Sequence, residues 1–512
     1  MKYFLSQNLA QLVLLCCVCT AFASAAEPQL QTSFASERRV LSRDAVRIDG
    51  RSVKYTATAG TLLLRDEHGN PTANMFYISY VALGLGPARQ RPITFAYNGG
   101  PGVSSTSLNI GAFGPKIVSG LDIDHRVVPD HLVNNPSSLL AKTDLVFIDA
   151  VGTGYSGAAG SATRKDFFGV NQDGKAFAQF IRRYVFSNGR TTSPKYLLGV
   201  SYGTTRSAVV ANLLKQAGIN LSGIVLMSTV LDFPAVSGGA GQDLQFSLRL
   251  PTEAMIASYY DKVEVPAANL DRFLANVRAF AVGPYAEALE QGDTVSDVVR
   301  RHVAQRLHGY TGLSVADILR ANLRISPDLF TTKLLAKKTV GLYDGRVSVF
   351  NTSARGGVSN ADPSTTAESA AFAAVAPSLL RQTLHYVRNE TYVLTSLDVT
   401  RQWDWGDGGP SGSNVTDDLA EVMSTSPHLR VLSLNGYYDL RTPFLGTEYQ
   451  LAHLGVSPAV HRQITIKYYR AGHMIFIDPK ARSEMKRDLD DFYDSEPAAA
   501  LDSRGHLRSA AE

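Results

Sequence analysis

The 512-residue sequence predicts an α/β protein with a mostly parallel central sheet, interrupted by an inserted, largely helical block. Three observations carry this. Strand-like apolar runs alternate with helix-like runs from Ile93 to about Asp232, which is the rhythm of βα units. That rhythm stops over residues 235–390, which are mostly helical in character, and resumes at 429–434. Between a strand-like run and a helix-like run lies a G-x-S-x-G turn, Gly199-Val200-Ser201-Tyr202-Gly203.

Taken in order, residues 1–25 read as an export signal. Lys2 is positive, 9–23 is mostly apolar, and Ala21-Phe22-Ala23 or Ala23-Ser24-Ala25 offers a small-residue cleavage site. The run is too short, and too interrupted by Gln11, to span a membrane. A periplasmic or secreted protein with no stable membrane insertion after cleavage is expected. Cys16, Cys17 and Cys19 are all the cysteines, so the mature chain is expected to lack disulfides and Cys-based metal sites. Export without cysteine suits a bacterial envelope protein.

Residues 26–234 are read as the first part of the core, 235–390 as a cap insertion, and 391–495 as the second part. Residues 496–512, rich in small, polar and charged residues, read as a flexible tail. Residues 52–82 alternate about an Asp66–Pro71 turn and predict an antiparallel hairpin. Strands follow at 93–97, 144–150, 196–200 and 223–228, with helices at 174–186 and 204–216. After the insertion come strands at 429–434 and 464–469, and a closing helix at about 481–493.

Composition narrows the function. With 45% hydrophobic and 19% charged residues the chain is ordinary for a globular protein. A dispersed net charge of +4 without a basic cluster excludes a nucleic-acid binder. No H-E-x-x-H motif and no Cys/His cluster occurs, so neither a metal nor a cofactor is expected.

The chemistry centres on Ser201. A strand–turn–helix setting with small residues beside the serine is what a nucleophile elbow requires; the plainer reading is a serine that caps the helix. An acyl-transfer serine needs two donors aimed at the developing oxyanion. One is the amide after the nucleophile, here Tyr202, and the other comes from a glycine-rich loop upstream. Asn98-Gly99-Gly100-Pro101-Gly102 follows a strand-like run and fits that loop. The acid and histidine should follow the serine, near the ends of later strands. Of His453, His461, His473 and His506, only His473 lies in a glycine-containing loop just after a strand. Asp439 ends a similar loop, where it would orient His473 or simply cap the next turn.

Together these segments resemble the serine carboxypeptidase family of α/β-hydrolases, the S10-type peptidases. Residues 98–105 match N-G-G-P-G-x-S-S, and 151–156 match V-G-T-G-F/Y-S. Residues 199–203 match G-E-S-Y-G except at Val200, while 436–439 and 471–474 match the acid and histidine loops. The resemblance implies an α/β-hydrolase fold with a helical cap and a serine exopeptidase acting on peptide or protein C-termini. It implies Ser201, Asp439 and His473 as triad, Gly100 and Tyr202 as oxyanion donors, and Asn98 and Gly99 as substrate-binding residues.

Two departures bear on substrate. The family holds the substrate carboxylate partly with two glutamates; here Val200 and Ala112 stand in their places. A carboxyl shared with a substrate carboxylate works only when protonated. A weaker acid dependence is therefore expected, with a pH–rate limb set by the triad histidine. The same departures keep open an esterase or acyltransferase using the same triad. A catalytically silent scaffold is the third reading, opposed by the intact triad and glycine loops.

Overall fold

The central sheet of the computed structural model has ten strands, and the structure describes residues 36–123, 131–239, 241–264, 269–351, 362–406 and 413–495. In chain order the strands are β1 (Arg39–Ile48), β2 (Arg51–Arg65), β3 (Pro71–Ala82) and β4 (Ile93–Tyr97). A small pair, β5 (Lys116–Val118) and β6 (Leu132–Asn134), precedes β7 (Asp144–Ile148), β8 (Gly157–Ala158), β9 (Lys195–Val200) and β10 (Gly223–Met227). A second pair, β11 (Lys338–Val340) and β12 (Ser348–Phe350), precedes β13 (Arg430–Gly436) and β14 (Ile464–Tyr469). The sheet runs β1-β2-β3-β7-β4-β9-β10-β13-β14, with β8 beside β3.

From β7 to β14 every neighbouring pair is parallel, while β1, β2, β3 and β7 pair antiparallel. Composition explains the division. β4, β9, β10 and β13 are buried at every position, as strands covered on both faces must be. The helices Val170–Ser187 and Tyr202–Gln216 cover one face, with Phe177, Phe180 and Val210 in its core. The helix Pro479–Asp494 covers the other with Met485, Leu489 and Phe492. This is the α/β-hydrolase architecture expected from the sequence.

Registers align the carboxyl ends of the central strands. Tyr97 lies beside Gly199, Val200 beside Met227, Met227 beside Leu434, and Gly436 beside Tyr469. The loops after β4, β9, β13 and β14 therefore leave from one edge, where open α/β sheets bind ligands.

Between β10 and β13 the chain is mostly helical, including Leu244–Tyr259, Leu270–Phe280, Asp297–Thr311 and Pro363–Ser378, and it also holds the β11–β12 hairpin. Its core contains Leu248, Ile256, Phe273 and Leu307, and continues into Tyr438, Leu440 and Phe444 just after β13. The inserted block thus shares a core with the loop that carries Asp439.

The hairpin at 52–82 is present as β2 and β3, but β1 was not legible. Four of its ten residues RVLSRDAVRI are charged and half are exposed, as suits an edge strand. The signal at 1–25 and the tail at 496–512 lie outside the described residues. Among the described residues, no helix is long and apolar enough to cross a membrane.

Candidate active site

Ser201 sits where β9 turns into the helix Tyr202–Gln216, with φ 58° and ψ −128°. A left-handed φ at a non-glycine residue costs free energy and marks a conformation imposed by its surroundings. The imposing contacts are visible. The Ser201 amide donates to the Met227 carbonyl at 2.9 Å, and its carbonyl accepts from the Thr204 amide at 2.7 Å. A Cβ on Gly199 would lie 2.1 Å from the Gly203 carbonyl oxygen, so the turn closes only around glycine. Ser201 itself is partly exposed at the sheet edge.

The glycine loop after β4 packs directly on this turn. A Cβ on Gly99 would sit 2.5 Å from the Val200 oxygen and 2.6 Å from the Tyr202 nitrogen. Tyr202 opens its helix, where backbone N–H groups have no intrahelical acceptor. Gly100, in the same loop, has a left-handed φ of 107°. The Tyr202 ring is 1% exposed and points away into Trp403 and Trp405, at 5.1 and 5.9 Å.

Asn98 is buried, and its side chain is occupied within the loop. Nδ2 donates to Ser107 Oγ at 2.7 Å, and Oδ1 accepts from the Leu108 amide at 3.3 Å. Its carbonyl accepts from Arg206 Nη1 at 2.6 Å, and Arg206 Nε pairs with Asp173 Oδ2 at 2.6 Å. Both charged side chains are almost wholly buried, and the guanidinium lies over Phe177 at 4.3 Å. A buried, aromatic-stacked arginine thus ties the elbow helix to the glycine loop. Asp149 supports the loop from the other side: Oδ1 accepts the Ser105 amide at 2.7 Å and Oδ2 the Tyr392 hydroxyl at 2.6 Å. Burial pushes its carboxyl up to about 6, against those two hydrogen bonds, which lower it.

Val200 and Ala112 are 1% and 0% exposed and lie in the same apolar cluster. The positions where the resembled family has carboxyls are here sealed into core.

Asp439 and His473 meet at the same edge. His473 Nδ1 and Asp439 Oδ2 are 2.7 Å apart, with both side chains at most 2% exposed. Thr442 Oγ1 donates to Asp439 Oδ2 at 2.5 Å, and the Arg441 and Thr442 amides donate to Oδ1 at 2.8 and 3.0 Å. Asp439 thus both caps its own turn and hydrogen-bonds the histidine. A carboxylate partner on Nδ1 makes that nitrogen the N–H and leaves Nε2 as the basic one. Ser228 Oγ, from the residue after β10, donates to the His473 carbonyl at 2.7 Å. The Tyr343 ring meets the imidazole edge-on at 5.0 Å. His453 instead bonds its own helix at Tyr449, and His506 is outside the described residues.

The arrangement brings Ser201, the glycine loop, Asp439 and His473 to one edge of the sheet. Sequence reasoning missed Arg206, Asp173, Asp149 and Thr442. Only Thr442, three residues after Asp439, left a readable trace as a turn-closing hydroxyl. Among the described residues no His/Cys/Asp/Glu group is arranged to hold a metal ion.

The family model of serine carboxypeptidases matches residues 53–473. Among solved structures, a prohormone-processing carboxypeptidase from Saccharomyces cerevisiae is similar with a TM-score of 0.56 at 18% identity, over 86% of this chain and 91% of that one. A proline iminopeptidase from Mycobacterium smegmatis gives 0.33 at 14% identity, over 88% and 97%. No curated protein sequence matches.

Proposed function

The chain belongs to the serine carboxypeptidase family, and from that premise we propose an exported enzyme that removes C-terminal residues through an acyl-enzyme. The observation that carries this is the buried His473–Asp439 pair at 2.7 Å, at the strand edge from which the Ser201 elbow also leaves. Ser201 Oγ attacks the carbonyl of the last peptide bond as His473 Nε2 takes its proton. Asp439 holds the imidazole and stabilises its positive charge. The amides of Gly100 and Tyr202 receive the oxyanion. His473 then protonates the leaving amine, and water releases the acyl group by the reverse sequence. Residues 235–390 act as the cap over this edge, and 1–25 as the export signal.

The substrate carboxylate falls to Asn98 and the Gly99 amide. With Val200 and Ala112 apolar, no pair of carboxyls has to be protonated for substrate to bind. The acidic limb of kcat/KM therefore does not depend on protonating such a carboxyl pair.

A second reading rests on Asn98, whose amide is already engaged with Ser107. If it stays engaged, carboxylate recognition is lost and the same triad serves an esterase or acyltransferase. Matched peptides with a free or an amidated C-terminus separate the two readings, with products followed by mass. Stepwise shortening of the free acid alone is expected. Hydrolysis of simple esters with neither peptide cleaved would favour the second reading.

A further inference from the structure

The loop joining β11 to β12 belongs to the inserted block, yet five consecutive residues of it bind the two loops that carry Asp439 and His473. The Leu342 carbonyl accepts the Leu440 amide at 3.1 Å, and the Tyr343 carbonyl accepts the His473 amide at 2.7 Å. Asp344 Oδ2 accepts the Gly472 amide at 3.1 Å. The Gly345 amide donates to the Tyr438 carbonyl at 2.9 Å. Arg346 Nη1 donates to the Arg470 carbonyl at 2.8 Å. Leu440 and Tyr438 flank Asp439, while Arg470 and Gly472 precede His473, so the loop bonds to both sides of the pair.

Two charged side chains fix the loop's own shape. Arg346 grips Asp344 with Nε on Oδ1 at 3.0 Å and Nη2 on Oδ2 at 2.8 Å, a bidentate fork with defined geometry. Its Nη1 also reaches Asp478 Oδ2 at 2.9 Å, the residue that caps the helix Pro479–Asp494. The guanidinium lies over the Tyr438 ring at 5.0 Å. Ser364 Oγ, from the helix Pro363–Ser378, accepts the Asp344 amide at 3.1 Å. The approach to the histidine loop is close: a Cβ on Gly472 would fall 2.5 Å from Asp344 Cβ and Cγ. Exposed ion pairs contribute little, because water screens them and both side chains lose freedom. This one is mostly buried, bidentate, and bonded onward to the backbone on both sides of the site.

We infer that Asp344 and Arg346 are positioning residues, which hold the histidine loop against the acid loop and so keep His473 and Asp439 in register. They touch neither substrate nor reacting atoms, and the inference rests on the roles proposed above for His473 and Asp439. Since every cysteine lies between positions 16 and 19, no disulfide can tie the inserted block to the rest of the described chain. The ion pair supplies that tie beside the site.

The test uses the full chain with Asp344→Ala, Asp344→Asn, Arg346→Met and Arg346→Lys. Asp243→Ala, which breaks the Asp243–Arg324 pair elsewhere in the same block, is the control. kcat and KM are measured per active site, counted by burst titration with an activated ester. The downfield proton resonance of the His473 Nδ1–H is recorded alongside. Asp344→Ala is expected to lower kcat per site by about 10²-fold, the cost of a small misplacement, with KM little changed and the resonance shifted or broadened. Asp344→Asn keeps an acceptor for Gly472 and should recover much of the loss, and Arg346→Lys should recover less. Asp243→Ala should lower the melting temperature without changing kcat per site. Wild-type kcat per site and an unmoved resonance in Asp344→Ala, and in Asp344→Asn if the alanine variant does not fold, would overturn the inference. Failure of the wild type to turn over any peptide or ester would refute the proposed function instead. The resonance would then still decide this inference: moved in the Asp344 variants it stands, unmoved it falls.

Discussion

Ser201 sits in a turn closed by its own sequence neighbours, whereas Asp439 and His473 sit on two separate loops that a segment of the inserted block bridges. Gly199 and Gly203 close the elbow around the serine, and the helix that follows is its own continuation. Asp439 and His473 sit on separate loops after separate strands, and residues 342–346 bridge those loops from outside. The difference teaches where each half is vulnerable. The serine side should be most sensitive to its own few residues and to the groups packed directly on its turn. The other side should lose activity through residues that never meet substrate.

The largest effect belongs to the serine side. Ser201→Ala is expected to lower kcat by on the order of 10⁶-fold and to abolish covalent labelling, read from product formation and intact mass. A variant that keeps measurable labelling would place the nucleophile elsewhere. Next comes Asp439→Asn, with a loss of about 10⁴-fold in kcat. Oδ1 still accepts the two backbone amides, so the loop keeps its place while the histidine is driven towards the wrong tautomer. Losses far smaller than this would mean that Thr442 holds the imidazole without the acid.

The support behind the elbow comes third. Arg206→Met strands Asp173 in a buried site and is expected to cost about 3–5 kcal/mol in urea unfolding. Pairing it with Asp173→Leu should return part of that, because no uncompensated charge remains. If the double variant is no more stable than the single one, Arg206 acts through the Asn98 carbonyl and the aromatic rings instead.

The smallest effect concerns Asp149. Its folded pKa of about 6 lies above the ordinary 3.8, mainly because of burial. The folded state therefore holds the proton more tightly, and stability falls as pH rises from about 4 through about 6 before levelling off. The contribution is at most about 3 kcal/mol. Asp149→Asn should flatten this part of the curve of melting temperature against pH. An unchanged curve would show that the Tyr392 and Ser105 hydrogen bonds keep Asp149 ionised throughout.

Legibility followed the same division. The parallel strands could be read because burial on both faces makes them continuous apolar runs, and Ser201 because its turn is local. Asp439 and His473 stood out by position after a strand, which needs only the order of elements. Arg206, Asp173 and Asp149 left no trace, since a buried charge looks like any other charge until its neighbours are known. Asp344 and Arg346 were equally invisible, because their partners lie in loops distant in sequence. β1 escaped for the opposite reason, as an edge strand whose charged residues carry no strong period.

The most direct test is to map the adduct of a fluorophosphonate on the wild type and on His473→Ala. A single adduct on Ser201, forming at a rate that collapses in His473→Ala, is the expected result. Modification at another residue, or a Ser201 rate indifferent to His473, would contradict the assignment of this edge as the catalytic centre.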